Sequence, residues 1–347
     1  MAQELHNEFK HLFTPPKTYA IHRTVDNIFL DGKANEESWK QAVWSDEFED
    51  IEGDKKPLPA YSTKIKMLWD EHNLYIYAEI EEPHVWAYYD QADMIVFHEN
   101  DFEVFIDPDR DTHRYFEFEL NARNTLFDLF MAKPYRNGSG ADIKWNAKGF
   151  ASEVFVDGTL NNFGDEDKKW CVEIQIPFNS LSTDGSYIQP ENGDFWKINF
   201  SRVQWQTEIM DGKYVRKINP ETGRNYPENN WVWNPQGIIN MHFPERWGLA
   251  MFSKVPAGDA VQVQLPDDEL LGPYLWNIYY RQTQYKDKNH QYAKSLEQLG
   301  ISATGEKNGL NFTLKMEPQK NNAFIARLMA ENGLTISINQ EGLITTN

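Results

Sequence analysis

The sequence predicts a mainly β protein, an antiparallel β-sandwich followed by a small α+β unit. Apolar and polar residues alternate with a period of two in many short runs, and turn residues separate these runs. Helical spacing is nearly confined to the end of the chain. A length of 347 residues is enough to bury a substantial core.

The clearest pair of strands is predicted at residues 64–69 and 73–80. Both runs alternate, and the short polar turn between them predicts a β-hairpin. In the second run we expect Tyr75, Tyr77 and Glu79 to face outward.

Further alternating runs extend the sheet prediction along the chain. They lie at residues 102–107, 115–121, 170–176, 195–202 and 248–253. Residues 31–40 are the exception, since their composition predicts a short capped helix.

The end of the chain has a different pattern. A helix is predicted from residue 273, followed by strands at 310–314, 324–328 and 334–338. A polar, proline-bearing stretch precedes this helix and predicts a linker. The predicted divisions are an N-terminal extension (1–16), the sandwich (17–256), the linker (257–269) and a small accessory unit (270–347).

The charge balance excludes several classes of partner. The chain has 53 acidic and 34 basic residues and a net charge of -19. Nucleic acids and anionic membranes are not expected as partners, because binding phosphates requires clusters of Lys and Arg. No apolar run approaches the roughly 20 residues of a membrane-spanning helix. The 12 tryptophans exceed what a core needs and suggest a binding role for some of them.

Cys171 is the single cysteine, so neither a disulfide nor a thiolate zinc site is expected within one chain. It lies in an alternating run and is interpreted as an inert strand thiol. Phosphate-binding loops, dinucleotide fingerprints, serine-nucleophile elbows and HExxH pairs are all missing from the sequence.

The densest group of acids lies on two predicted strands. One strand face carries Glu103, Phe105 and Asp107, and a face of the other carries Glu117, Glu119 and Asn121. Carboxylates, an amide and an aromatic ring suit a sugar, whose hydroxyls donate hydrogen bonds and whose C–H faces stack on rings. The alternatives are a solvated sheet face or a glycosidase pair of Glu103 with Glu117 or Glu119.

Two other groups of residues leave alternatives open. Asp107, Asp109 and Asp111 alternate in a predicted turn and fit either a calcium site unlike an EF-hand or a plain acidic loop. Trp231 and Trp233 share one face and fit either core packing or a platform for a sugar.

Several motifs together resemble family 9 carbohydrate-binding modules and their DOMON-like relatives, over residues 17–254. They lie at residues 28–33 with Trp39, and at 68–76, 100–108, 170–177 and 246–249. More narrowly, residues 230–233 and 241–245 resemble stand-alone family-9-like proteins of polysaccharide-degrading bacteria.

This resemblance implies a sugar-binding β-sandwich with structural calcium. The acid that binds sugar in the family falls on Glu103 and the amide on Asn121, whereas the family's basic position falls on Glu119. Arg202 could replace the lost basic group, although alternation turns it toward the core, which requires a bulge or a buried pair.

The family's aromatic clamp is only partly retained. Its first ring falls at or beside Phe97, and its second falls at Met241 or His242. The missing ring could come from three tryptophans, namely Trp86, Trp231 and Trp233.

The function implied is non-catalytic binding of a mono-, oligo- or polysaccharide, in extracellular or periplasmic polysaccharide degradation with glycoside hydrolase partners. Secretion or periplasmic location follows from the resemblance alone, since residues 1–4 begin no signal peptide. Some DOMON-like relatives bind haem through Met and His, but no CxxCH motif is present, and neither haem nor a nucleotide is expected. The rival functions are a glycoside-active hydrolase and a structural or interaction protein without a sugar site.

Overall fold

Most of the alternating runs form strands in the computed structural model, which describes residues 10–347. Residues 1–9 of the predicted N-terminal extension lie outside the described residues. The described chain forms two compact units. The sandwich unit comprises residues 16–109 and 114–263, and the terminal unit comprises residues 10–15, 110–113 and 264–347.

The sandwich unit is built from strands with one short α-helix. Its strands are β1 (Thr18–Arg23), β2 (Glu49–Asp50), β3 (Thr63–Trp69), β4 (Asn73–Glu81), β5 (Asp101–Asp107), β6 (Tyr115–Asn121), β7 (Leu126–Met131), β8 (Ala141–Asp142), β9 (Ala151–Asp157), β10 (Lys169–Pro177), β11 (Phe195–Gln204), β12 (Thr207–Met210), β13 (Lys213–Arg216), β14 (Asn229–Val232) and β15 (Gly248–Pro256). Short 3₁₀ turns lie at Gly53–Lys55, Val96–His98, Tyr135–Asn137, Phe178–Ser180 and Pro244–Arg246.

The main sheet runs in the order β8-β7-β6-β5-β11-β15-β1-β3-β4-β10-β9, and β14 pairs with both β11 and β2. Most of its pairs are antiparallel, but β1 pairs in parallel with both β15 and β3. Thr18 lies opposite Leu249 in the first of these pairs. The first and last strands of the sandwich unit are therefore neighbours.

The sheet folds over one apolar core, which gives the predicted sandwich. Side chains from β3, β4 and β10 pack with side chains from β5, β6 and β11. Fully buried members include Ile76, Val172, Val104 and Phe118. Burying such side chains is the main favourable contribution to folding.

The predicted hairpin of β3 and β4 is confirmed, because Met67 pairs with Ile76 in an antiparallel register. Tyr75 and Tyr77 lie on the face of β4 away from the main core, as expected, but this face is covered and both side chains are only 5% exposed. The ring of Trp39 covers this face of the sheet, and its centroid lies 5.9 Å from that of the Tyr77 ring. Alternation identifies which residues share a face, but it does not show what covers the face.

The predicted helix at residues 31–40 is shorter than expected and forms α1 (Glu37–Gln41). Gly32 has a φ of 73°, which belongs to the left-handed region and places it in a turn. The helix is not capped from within its predicted segment, because Glu36, which directly precedes it, makes no side-chain cap hydrogen bond. Instead, the carboxylate of Asp26 accepts from the first two backbone N–H groups of the helix, at 2.9 and 3.1 Å.

The terminal unit combines one long helix with an antiparallel sheet. Its elements are α2 (Asp267–Asn289), β16 (Thr304–Lys307), β17 (Leu310–Gln319), β18 (Ala323–Ala330), β19 (Thr335–Asn339) and β20 (Ile344–Thr346), with 3₁₀ turns at Lys10–Phe13 and Glu297–Leu299. The strands pair in chain order. The helix begins inside the predicted linker, at Asp267, where three acidic residues favour a helix N-terminus. Within residues 10–347, no helix is long and apolar enough to cross a membrane.

Candidate functional site

Strands β5 and β6 bring a row of acidic side chains together on one face of the sheet. Glu103 lies directly opposite Glu119, and Phe105 lies opposite Glu117. Asp101 precedes Glu103 by two residues on the same face of β5. The antiparallel pairing of the two strands brings the two predicted acidic faces side by side.

A cavity of about 470 Å³ lies over this face, within the sandwich unit. Its lining residues are Ile51, Ile95, Phe97, Glu103, Phe105, Glu117, Glu119, Phe127, Leu129, Tyr135, Ala141, Ile143, Glu228, Asn230, Ile239, Asn240, Met241 and His242. This volume falls within the range of about 300–1,000 Å³ that is typical of small-molecule sites. The lining is largely apolar, with carboxyl, amide and imidazole groups placed among the rings.

Within residues 10–347, four carboxyl groups line the cavity, and the three on β5 and β6 are nearly removed from water, whereas Glu228 is partly exposed. Glu103, Glu117 and Glu119 are 6%, 4% and 2% exposed. Burial raises the pKa of Glu103 to about 7. Burial, with the charge of Glu103, also raises the pKa of Glu117, and burial with the charge of Glu117 raises the pKa of Glu119.

These carboxyl groups have hydrogen-bonding capacity that the protein does not use. Among residues 10–347, no partner donates a hydrogen bond to Oε2 of Glu117 or Oε2 of Glu119, although both atoms are buried. Buried polar atoms are normally paired, so unsatisfied oxygens beside a cavity point to a ligand that donates hydrogen bonds.

His242 holds one wall of the cavity in place. Its Nδ1 forms a hydrogen bond of 2.9 Å with the hydroxyl of Tyr115, and its ring packs edge-on against Tyr135 at 4.5 Å. Burial lowers the pKa of His242 to about 4, so the ring is neutral at physiological pH. Its contact with Glu117, 3.9 Å between Nε2 and Oε2, is therefore not a charged pair at that pH.

Two aromatic rings on the cavity wall remain partly open to solvent. Phe97 is 38% exposed and Tyr135 is 45% exposed. The carbonyl of Phe97 accepts a hydrogen bond of 2.9 Å from the indole of Trp205, which fixes the backbone there. Exposed rings beside acceptor groups are the surface that a sugar ring requires.

The sequence of this unit matches a known family. Residues 30–228, more than half of the chain, match the family described as "Carbohydrate family 9 binding domain-like". The chain belongs to this family. Family membership supports carbohydrate binding as the general function.

Individual relatives of this family 9 protein are distant. A protein of Arthroderma benhamiae named "Extracellular protein" is 26% identical over 157 residues, which are 43% of this chain and 66% of that protein. A family 9 module from Caldicellulosiruptor kristjanssonii, solved with cellotriose, is 17% identical and covers 72% of this chain and 100% of its own, with a TM-score of 0.43. The module from the same organism solved with glucose is 14% identical and covers 71% of this chain and 100% of its own, with a TM-score of 0.42.

Five residues that the resemblance singles out line the cavity together. They are Phe97, Glu103, Glu119, Met241 and His242. Glu119 places an acid in the lining at the position where the resemblance implies a basic side chain.

Asn121, the predicted amide, lies away from the cavity. Its Nδ2 donates to the carbonyl of Tyr89 at 3.0 Å and to Glu99 at 3.1 Å. Its Oδ1 accepts from the backbone N–H groups of Arg123 and Thr125. These bonds fix the turn between β6 and β7, which gives Asn121 a structural role.

Arg202 also lies outside the cavity. Its side chain is 1% exposed, and its Nη2 lies 3.2 Å from Oε2 of Glu82. Gln204, Thr63 and the carbonyl of Ser62 accept its other hydrogen bonds. Because Arg202 points toward the core, a bulge or a buried ion pair was expected, and Glu82 provides the pair. The guanidinium is therefore bound to Glu82, away from the cavity.

The three candidate tryptophans are buried in packed clusters and do not line the cavity. Trp231 and Trp233 are 6% and 1% exposed and belong to the main core. Trp86 is 4% exposed and packs against Tyr88 and Tyr214. The second half-exposed ring on the cavity wall is instead that of Tyr135, which sequence reasoning did not select.

The loop after β5 carries the predicted calcium ligands. Asp107 is buried at the end of β5, and Asp109 is exposed. Asp111 lies in the short segment that belongs to the terminal unit. Calcium binding by these three residues stays a prediction.

Sequence reasoning missed Asp101 and Tyr135. Asp101 could have been found, because it shares the alternation of Glu103 and Phe105 on one strand face. Tyr135 lies in a 3₁₀ turn outside any periodic run, so no pattern pointed to it.

Proposed function

We propose that this protein binds a carbohydrate in the cavity over β5 and β6 without cleaving it. The observation that carries the proposal is the combination in one cavity of unsatisfied carboxyl groups with the half-exposed rings of Phe97 and Tyr135. Sugar hydroxyls donate to the carboxyl oxygens, and the C–H faces of the sugar stack on the rings.

Amide groups at the cavity mouth complete the set of polar partners. Asn230 is partly exposed and Asn240 is exposed, and both line the cavity. An amide both donates and accepts, so it recognises a hydroxyl in either role. Several such groups converging on one pocket favour a defined sugar over a general polar ligand.

The wider role that we propose is in polysaccharide degradation outside the cytoplasm, alongside glycoside hydrolases. The name of the Arthroderma benhamiae relative, "Extracellular protein", supports an extracellular setting. Net charge supports a neutral ligand, because 53 acids against 34 bases disfavour polyanions.

The test is a glycan array of the purified chain, run in calcium and again in chelator, followed by calorimetry on the best ligand. We expect saturable binding to one class of glycan in at least one buffer. A blank array in both buffers would contradict the proposal and favour a structural role, which a defined oligomer would then support.

A second candidate function is glycoside hydrolysis. A carboxyl oxygen of Glu103 and one of Glu119 lie within 4.8 Å of each other, close to the ~5–5.5 Å of retaining glycosidases. This function predicts release of reducing ends over time. Glu103→Gln would then abolish turnover while binding remains.

A further inference from the structure

Asp101 is the most deeply buried of the four acids Asp101, Glu103, Glu117 and Glu119. Among the described residues, no basic side chain forms an ion pair with it. Its side chain is 0% exposed. Among residues 10–347, neither Oδ1 nor Oδ2 has a hydrogen-bond partner of normal geometry. A buried carboxylate without a donor is rare, because losing water costs several kcal/mol unless another interaction replaces it.

The unpaired carboxyl group of Asp101 points at two others. One oxygen each from Asp101, Glu103 and Glu119 lie within 4.8 Å of one another. Oxygens bound to one calcium ion at about 2.3–2.6 Å can be up to about 5 Å apart. These separations are close to those of oxygens that share one calcium ion, so a small movement of the side chains brings all three into contact with it.

The electrostatics of the cluster require a positive charge or bound protons. Within residues 10–347, no Lys or Arg forms an ion pair with Asp101, Glu103, Glu117 or Glu119. A cation would allow the three carboxyl groups to stay ionised in a site where they otherwise repel one another.

We propose that Asp101, Glu103 and Glu119 bind a calcium ion at the base of the cavity. The ligand set is all oxygen, which hard divalent cations prefer, and it holds no nitrogen or sulfur that would select zinc or copper. This site is separate from the loop of Asp107, Asp109 and Asp111.

The position of the ion gives it a further role, which rests on the proposed sugar binding. Glu103 and Glu119 line the cavity, whereas Asp101 is not part of the lining. The remaining coordination positions of the ion therefore face the cavity. There they take water, or two neighbouring hydroxyls of a sugar.

The test uses calcium alone, without sugar, on the full chain after removal of metal by chelator. Calorimetry with calcium chloride is run on the wild type, on Asp101→Asn, on Asp109→Asn, which reports any calcium bound by the exposed loop, and on the double variant. We expect Asp101→Asn to bind one calcium fewer per chain than the wild type, and the double variant to bind one fewer than Asp109→Asn. Calcium should also raise the melting temperature of the wild type more than that of Asp101→Asn.

Three results would overturn the proposal: no calcium binding by the wild type, equal stoichiometry in the wild type and Asp101→Asn, or loss of the ion only in Asp109→Asn. If Asp101→Asn does not give a native circular dichroism spectrum, Glu119→Gln replaces it under the same criteria. Because no sugar is present, the result stands whether or not the chain binds carbohydrate.

Discussion

Arg202 and Glu82 form an ion pair that is almost fully removed from water. Nη2 of Arg202 lies 3.2 Å from Oε2 of Glu82, and the two side chains are 1% and 4% exposed. The guanidinium also lies 5.1 Å from the ring centroid of Trp231. Burial lowers the pKa of Arg202 to about 10, which still leaves it charged at neutral pH. The pair therefore joins β11 to the segment that follows β4 through charges that depend on each other.

Replacing Arg202 by Met should lower the free energy of unfolding by about 3–5 kcal/mol, because Glu82 is left charged and buried. Urea unfolding measures this loss. The double variant Arg202→Met with Glu82→Gln should recover part of it, since no unpaired charge remains. If Arg202→Met is as stable as the wild type, the ion pair with Glu82 does not stabilise the fold.

Gly248 is expected to tolerate no side chain. A Cβ at this position would lie 2.2 Å from Cζ3 of Trp233, which is 1% exposed and cannot move easily. Gly248→Ala should therefore lower the free energy of unfolding by about 1–3 kcal/mol or more. Gly140→Ala is the matched control, because a Cβ added there would meet nothing within 4 Å. Equal midpoints of denaturation in the two variants would contradict the expectation.

Phe97→Ala should weaken sugar binding about tenfold, which equals about 1.4 kcal/mol, because the stacking surface is lost. Phe163→Ala is the control, since that ring is 51% exposed and lies outside the cavity. Calorimetry with the best ligand from the glycan array measures both variants. If the two dissociation constants change equally, Phe97 does not contact the sugar.

Glu173 should make stability depend on pH. Its carboxyl group accepts hydrogen bonds from the Trp39 indole at 2.7 Å and from the backbone of Asp31 at 3.0 Å, yet burial raises its pKa to about 7. The native state therefore binds more protons than the unfolded state between about pH 4.5 and 7, and stability falls as the pH rises through this window. The total change from this group is about 3 kcal/mol.

Glu173→Gln removes this titration, so the loss of stability between about pH 4.5 and 7 should be smaller than in the wild type. Urea unfolding at several pH values measures the difference in slope between the two proteins. Other buried acids titrate equally in both. If the free energy of unfolding falls with pH equally steeply in the two proteins, Glu173 is already ionised at about pH 4.5.

The sequence predicted the strands well because alternation is a local property. The strand faces that carry Glu103 and Glu119 followed from it, whereas the pairing of β5 with β6 came from the structure. The roles of the tryptophans did not follow, since alternation cannot show which of two faces becomes the core. Trp233 shares a face with Trp231, and both pack inside the sandwich.

The positions of three other residues depend on contacts that a period-two pattern does not encode. The side chain of Asn121 forms hydrogen bonds with the turn that follows β6 and with Glu99. Tyr77 is covered by Trp39, which lies on a helix far from it in sequence. Tyr135 reaches the cavity through a turn with no periodic pattern. The local spacing of apolar and polar residues in the sequence reveals none of these contacts.

The parallel pairing of β1 with β15 sets an order for assembly during synthesis. The first partner of β1 to be synthesised is β3, which it meets only at His22 and Arg23. On its other edge all of β1 pairs with strand β15, which emerges only after the rest of the sandwich has been synthesised. The sheet order also places β15 between β1 and β11, so a nascent chain lacking it keeps two strand edges open. Closure of the sheet therefore waits for the last strand of the sandwich, and long-range pairing of this kind slows folding.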